Sequence, residues 1–134
     1  MQIIDIRLLS CDFKAKRNFE MQSDIDTSAD IGYGSSYNEE TCVITGMVRA
    51  RLPQDAKAPY SFEIEIGGKF KITKDEEEHV ERLRHVNIPA IIFPYLREAV
   101  ADITRRGGHP ALHLPPVNFV RAAEEKRTES ACKD

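Results

Sequence analysis

Two runs of alternating apolar residues with a short connection between them constrain this chain most. In residues 40–52, Cys42, Ile44, Val48, Ala50 and Leu52 share one parity, with Gly46 as a gap. Thr41, Thr45, Arg49 and Arg51 take the other parity. In residues 60–73, Tyr60, Phe62, Ile64, Ile66, Phe70 and Ile72 alternate with Ser61, Glu63 and Glu65 across the pair Gly67–Gly68. A period of two is the signature of a strand with one buried face. The connection PQDAKAP, residues 53–59, is too short for a parallel crossover, so the two strands form an antiparallel hairpin. The double glycine predicts a bulge or bend in the second strand.

The segment Met1–Lys16 reads as a further long strand. Ile4, Ile6 and Leu8 alternate, and then the apolar parity slips to Leu9, Cys11 and Phe13. A slip of one residue is what a bulge near Leu8–Leu9 produces. Phe19–Thr27 reads as a weaker strand through Phe19, Met21 and Ile25, and DIGYGSSYN, residues 30–38, as a loop on its Gly and Ser content. Residues 75–85 form a short helix with an acidic beginning. Residues 87–106 form a long one, with Ile92, Leu96, Ala99, Val100 and Ile103 on a single stripe. Pro94 belongs in a first turn, which places regular helix from about Phe93, and Gly107–Gly108 ends it. The proline-bearing stretch HPALHLPPVNF is extended. Residues 121–134 are polar and read as a short frayed helix or a disordered tail, leaving one domain over 1–120.

This reading gives an α+β fold: a four-stranded antiparallel sheet with one long helix and short helical pieces on one face. It also exposes a shortfall. Four strands span roughly 19 Å, whereas one helix with its side chains covers about 10 Å. The apolar sheet face exceeds what the helix hides, and Ile91, Phe93 and Tyr95 lie off the main stripe. Apolar area left bare marks self-association or binding.

Several function classes drop out. A net charge of −3 gives no basic surface for nucleic acid or for an anionic membrane. No apolar run reaches the roughly 20 residues that span a bilayer, and MQIIDIRLL lacks the pattern of a secretory leader. The three cysteines, Cys11, Cys42 and Cys132, read as reduced thiols of a cytoplasmic protein. No nucleotide, zinc or nucleophile motif is present. His109 and His113 are four apart in extended chain, roughly 13 Å, too far to share a metal. Glu63 and Glu65 read as solvated glutamates that Arg49 and Arg51 can pair across the sheet. A non-enzyme without catalytic residues, cofactor or metal is expected.

The block Phe93-Pro94-Tyr95 with Arg97-Glu98, then Arg106-Gly107, then Leu112 through Pro116-Val117-Asn118-Phe119, resembles the SecB protein-export chaperone family. Gly67-Gly68-x-Phe70, Asp26-Thr27 and Asp5-Ile6 add to the resemblance. It implies a SecB-like subunit in a dimer of dimers, joined through sheet edges and long helices. Ile4, Ile6 and Leu8 would flank the sheet edge, and Ile92, Leu96, Ala99, Val100 and Ile103 would pack the centre and the subunit core.

The resemblance also implies an ATP-independent holdase for unfolded or precursor proteins during export and translocation. Phe13, Phe19, Met21, Ile25, Val117 and Phe119 match client-groove positions, and Asp5 and Glu63 match acids that contact the SecA motor. Leu9 and Ser61 depart from the family pattern, as does the sequence after Phe119. Two alternatives stand beside the export reading. One is a dedicated chaperone of an antitoxin in a toxin–antitoxin–chaperone system. The other is a structural or adaptor protein that keeps the fold and binds no unfolded chain.

Overall fold

A computed structural model describes residues 1–20 and 24–132, the side chains of 127–132 excepted. Strands β1 (Gln2–Ala15), β2 (Asp30–Asn38), β3 (Val43–Leu52) and β4 (Tyr60–Lys71) form one antiparallel sheet in the order β1-β4-β3-β2. The β3–β4 hairpin is its centre. β1 and β2 are its two edges, and residues 16–29 carry the chain from one edge to the other. That connection passes the hairpin loop, where the Lys16 N–H donates to the Pro59 carbonyl and the Asp26 N–H to the Lys57 carbonyl, at 2.9 and 2.8 Å.

The inner face takes the parity expected for the hairpin. Ile44, Val48, Ala50 and Leu52 of β3, and Phe62, Ile64, Ile66 and Phe70 of β4, are buried. Three expectations change. Phe19–Thr27 forms no strand among its described residues; the fourth strand is the glycine- and serine-rich Asp30–Asn38. Its inward residues Ile31, Tyr33, Ser35 and Tyr37 pair with Ala50, Val48, Gly46 and Ile44, so its glycines face outward, where a missing side chain costs no core packing. The Gly67–Gly68 pair keeps regular register with β3, opposite Met47 and Gly46. The irregularities lie in β1 instead, between Ile3 and Asp5 and between Leu8 and Ser10. The second is the slip read from the sequence.

The helical layer begins with a 3-10 segment (Lys74–His79), continues through the single turn α1 (Val80–Arg82) and a π segment (Leu83–Asn87), and runs into α2 (Ile88–Arg106). Regular helix therefore starts at Ile88, earlier than Pro94 suggested. Pro94 sits inside α2, where the carbonyl it fails to bond belongs to Ala90, and both residues are exposed on the helix surface. Ile88, Ile92, Leu96 and Val100 are fully buried against β3 and β4. The approach is close at Gly46, where a Cβ would lie 2.6 Å from the Ile88 Cγ2. Gly108, at φ +85°, ends the helix, with the His109 N–H bonded to the Thr104 carbonyl.

Residues 109–118 then return along α2, held at two points. The buried Thr104 hydroxyl donates to the Val100 carbonyl and accepts the Leu112 N–H, both at 2.9 Å. The Arg97 Nε donates to the Leu114 carbonyl at 2.9 Å. The last element, α3 (Phe119–Cys132), starts where the Asn118 side chain accepts the Arg121 N–H.

Candidate functional site

α2 packs over the two central strands and leaves much of β1 exposed. Ile3, Ile4, Leu8 and Leu9 are each at least half exposed, with Leu8 at 55%. Ile6 and Leu8 point to the helical side of the sheet, Ile6 half-buried against the core and Leu8 exposed. A groove of about 530 Å³ opens between them and α2. Its floor is Ile6, Leu8 and Ile66, and its wall is Tyr95 and Ala99 from α2. Ala111 and His113, held in place by the Thr104 and Arg97 hydrogen bonds, close one end.

The rim is charged. Asp102 accepts from Arg105 at 2.7 Å and from Arg106 at 2.9 Å. The Arg106 and Arg105 guanidiniums hold its carboxyl below the usual carboxylate range. The floor is apolar and the rim is ion-paired. Such a groove removes apolar surface from water without demanding one sequence. Among the described residues no cluster of three or more His, Cys, Asp or Glu side chains is placed to hold a metal. No helix there is long and apolar enough to cross a membrane.

Two aromatic clusters lie on the same side of the sheet, one at each edge. On β1, the Phe13 ring packs on Tyr60 at 5.5 Å and covers Gly107, and His109 lies 4.8 Å from Tyr60. Over β2, Phe119 stands edge-on to both Tyr33 and Phe93, at 5.5 and 5.7 Å.

Residues 9–129 match the family described as preprotein translocase subunit SecB. The chain belongs to the SecB family. Over 86 residues it is 41% identical to the protein-export protein SecB of Acidithiobacillus ferrooxidans, a match covering 64% of this chain and 58% of that protein. Over 89 residues it is 36% identical to its counterpart in Nitrosomonas eutropha, covering 66% of this chain and 56% of the relative. The chain thus matches somewhat over half the length of these curated SecB proteins. Among solved structures, it is similar to a SecB-like chaperone of Mycobacterium tuberculosis, solved in complex with a ChAD peptide from an antitoxin. The TM-score is 0.65 at 21% identity, covering 87% of this chain and 90% of that one. That likeness is one of fold: a four-stranded antiparallel sheet with a long helix on one face, as the sequence predicts.

The residues that the SecB resemblance marks as client positions are dispersed in this subunit. Phe13 is half-buried in the Tyr60 cluster, and Phe119, 4% exposed, in the Tyr33–Phe93 cluster. These lie over opposite edges, about three strand spacings or roughly 14 Å apart. Val117 is half-buried against the core. Phe19 is half-buried with the Lys16 ammonium 5.8 Å above its ring, and Ile25 is exposed on the connection. Met21 lies outside the described residues.

Of the residues expected at SecB-type subunit contacts, Ile92, Leu96 and Val100 are buried within the subunit. Ala99 and Ile103 are partly exposed, Ile6 is half-buried, and Ile4 and Leu8 are free on β1. Asp5 and Glu63 both face outward from the sheet, away from the helices, and neither is a free acid. Asp5 pairs with Arg7, and Glu63 with Arg49 and Arg51 at 3.7 and 3.9 Å.

Sequence reasoning placed Tyr60 on the apolar face of its strand but missed Tyr33 and the packing of His109 on Tyr60. The signal for Tyr33 was present: Ile31, Tyr33 and Tyr37 share a parity, overridden by the Gly and Ser between them.

Proposed function

We propose that this SecB-family chain is an ATP-independent holdase that binds unfolded or precursor polypeptides and keeps them competent for export. The observation that carries the reading is the bare apolar face of β1 beside the 530 Å³ groove. An unfolded chain offers what such a site lacks: apolar side chains for the groove, and unpaired backbone groups for an edge strand. Neither contact selects one sequence, which suits a binder of many clients.

The same edge serves self-association. Ile4, Ile6 and Leu8 of two subunits would meet along β1, and the Tyr95, Ala99 and Ile103 flank of α2 would join two such dimers. Transfer to SecA would use Asp5 and Glu63, which must first leave their own arginines.

A second reading, a dedicated chaperone of an antitoxin, draws support from the fold neighbour that was solved with an antitoxin peptide. Light scattering on a size-exclusion column, with and without an unfolded apolar client, tests both readings. A tetramer that carries the client into its peak is the expected result. If it carries only one antitoxin segment and ignores unrelated unfolded proteins, the second reading replaces the first. A monomer that ignores every client leaves the adaptor reading.

A further inference from the structure

β2 is a regular edge strand. Its residues Asp30–Asn38 pair with β3 in unbroken register. The strand holds no proline, lysine or arginine, and its only charged side chain is Asp30. Bulges, prolines and lysines are the devices that keep an edge strand from pairing with another chain. β2 has none of them, and Gly32, Gly34 and Ser36 present little side chain on its outer face.

The backbone groups on its free side follow from the ladder. In an antiparallel pair, successive residues turn their N–H and C=O groups alternately toward the neighbouring strand and away from it. The Gly34 carbonyl points at β3, 3.8 Å from where a Cβ on Gly46 would lie. Ser35 therefore turns its N–H and C=O to the free edge, and Ile31, Tyr33 and Tyr37 do so by the same parity. One guanidinium meets them there. Arg84, on the π segment, donates from Nη2 to the Ser35 carbonyl at 3.0 Å and from Nε to the Ser35 hydroxyl at 3.3 Å. Its Nη1 is held by Glu81 at 3.1 Å. Among the described residues no other hydrogen bond reaches the free-side backbone of these four residues. A charge is thus fixed near the middle of the strand, where an added strand at a spacing of about 4.8 Å would have to lie.

We infer that Arg84 guards this edge: it keeps a second copy of the chain from adding its own β2 in antiparallel pairing. The strand is otherwise self-complementary. About a two-fold axis through Gly34, Ile31 would face Tyr37 of the partner subunit, and Tyr33 would face Ser35 of the partner subunit. Each pair would exchange the free N–H and C=O groups. Asp30 would lie opposite Asn38 of the partner subunit, so no like charges meet. With Arg84 in place, both Ser35 carbonyls are taken, and two guanidiniums would be trapped between the strands. A sheet open at both edges adds subunits without closing. The guard therefore leaves β1 as the edge for assembly or for a client, and it acts at β2 whichever of these β1 serves.

The test is light scattering on a size-exclusion column at rising concentration of the full chain, with amide exchange on the same samples. Arg84→Ala should reach at least about twofold the wild-type mass as concentration rises. The amides of Ile31, Tyr33, Ser35 and Tyr37 should then exchange about tenfold more slowly than in the dilute variant. Adding Gly34→Lys to Arg84→Ala sets two cations opposite each other on the axis and should return the mass to the wild-type value. A side chain has room there, because a Cβ on Gly34 would meet only the Met47 Sδ, at 3.8 Å. The added lysine would not reverse association of a merely destabilised subunit, so the double variant separates the two. The inference is overturned if Arg84→Ala keeps the wild-type mass at every concentration, if growth persists in the double variant, or if the new protection falls on β1. An Arg84→Ala variant of wild-type mass that gains binding of a fluorescent Thr-Val repeat peptide would overturn the second copy in favour of an extended peptide.

Discussion

β1 and β2 are the two edges of one sheet, and the molecule treats them in opposite ways. β2 carries little apolar area of its own, with Gly32, Gly34, Ser35 and Ser36 among its nine residues. It is strapped down from outside the sheet. The Arg84 guanidinium donates to the Ser35 carbonyl at 3.0 Å and to its hydroxyl at 3.3 Å. The Tyr37 hydroxyl donates to Glu77 at 2.9 Å, and Tyr33 lies under Phe119 with the Lys126 ammonium 3.8 Å from its ring centroid. β1 is richer in Ile and Leu, and four of these side chains stand at least half exposed. The poor edge is covered by the chain itself, and the rich edge is left for another surface. Apolar area gathered on one exposed edge strand is the mark of an interaction surface.

The largest test of this contrast pairs one residue from each edge. Phe119→Ala removes a buried ring from the β2 cover and should destabilise the subunit by about 3–5 kcal/mol in urea unfolding. Leu8→Ala removes a side chain that is 55% exposed, and should stay within about 0.5 kcal/mol while weakening self-association or client binding. Equal stability costs would dissolve the distinction between the edges.

A smaller effect is expected at Thr104, which holds the end wall of the β1 groove. Thr104→Val keeps the shape but leaves the Leu112 N–H without its acceptor, at about 1–3 kcal/mol. Faster amide exchange at Leu112 would mark the loosening of the Ala111–His113 wall; unchanged exchange would show that the segment is held elsewhere. On the other edge, Arg84→Ala removes the bonds to Ser35. It should cost about 1 kcal/mol, with exchange rising along β2 and not along β1.

The contrast between edges also explains what was readable in the sequence. β3, β4 and α2 are the elements whose buried face is supplied by their own apolar residues, and their periods of two and 3.6 place Ile44, Ile64, Ile92 and Leu96 correctly in the core. The β1 slip was readable because the apolar parity changes between Ile6, Leu8 and Cys11, Phe13, and a bulge is what lets Leu8 and Cys11, three residues apart, share one face. β2 was hidden because what stabilises it lies far away in sequence: Glu77, Arg84 and Phe119 all follow the strand at a distance that no local pattern spans. Phe19 and Ile25 imitate a strand by parity alone, but the described residues of the connection join no strand of the sheet. The groove residues were legible as types and not as a place. Phe13 and Phe119 were expected to line one client groove, yet the strand order puts them over opposite edges.

The smallest expected effects are in pH, and they carry opposite signs at two points of the helical layer. Burial, and then the hydrogen bond to Glu77, push the Tyr37 hydroxyl well above its ordinary range. A folded-state pKa that is raised stabilises the fold fully below the unfolded value, about 10 for tyrosine, and the contribution is lost as pH rises beyond it. Asp102, at the groove rim, is shifted the other way by Arg106 and Arg105. Its contribution is complete above the unfolded value, about 3.9 for aspartate, and disappears as pH falls through the lower folded value. The β2 strap should therefore loosen in alkali and the end of α2 in acid. Unfolding of the wild type against Tyr37→Phe and Asp102→Asn across the pH range checks this. The Asp102→Asn difference should close below about pH 4, and the wild type should lose ground to Tyr37→Phe only above about pH 10. A Tyr37→Phe difference constant up to the alkaline end would mean that the Glu77 bond orders the edge without holding it.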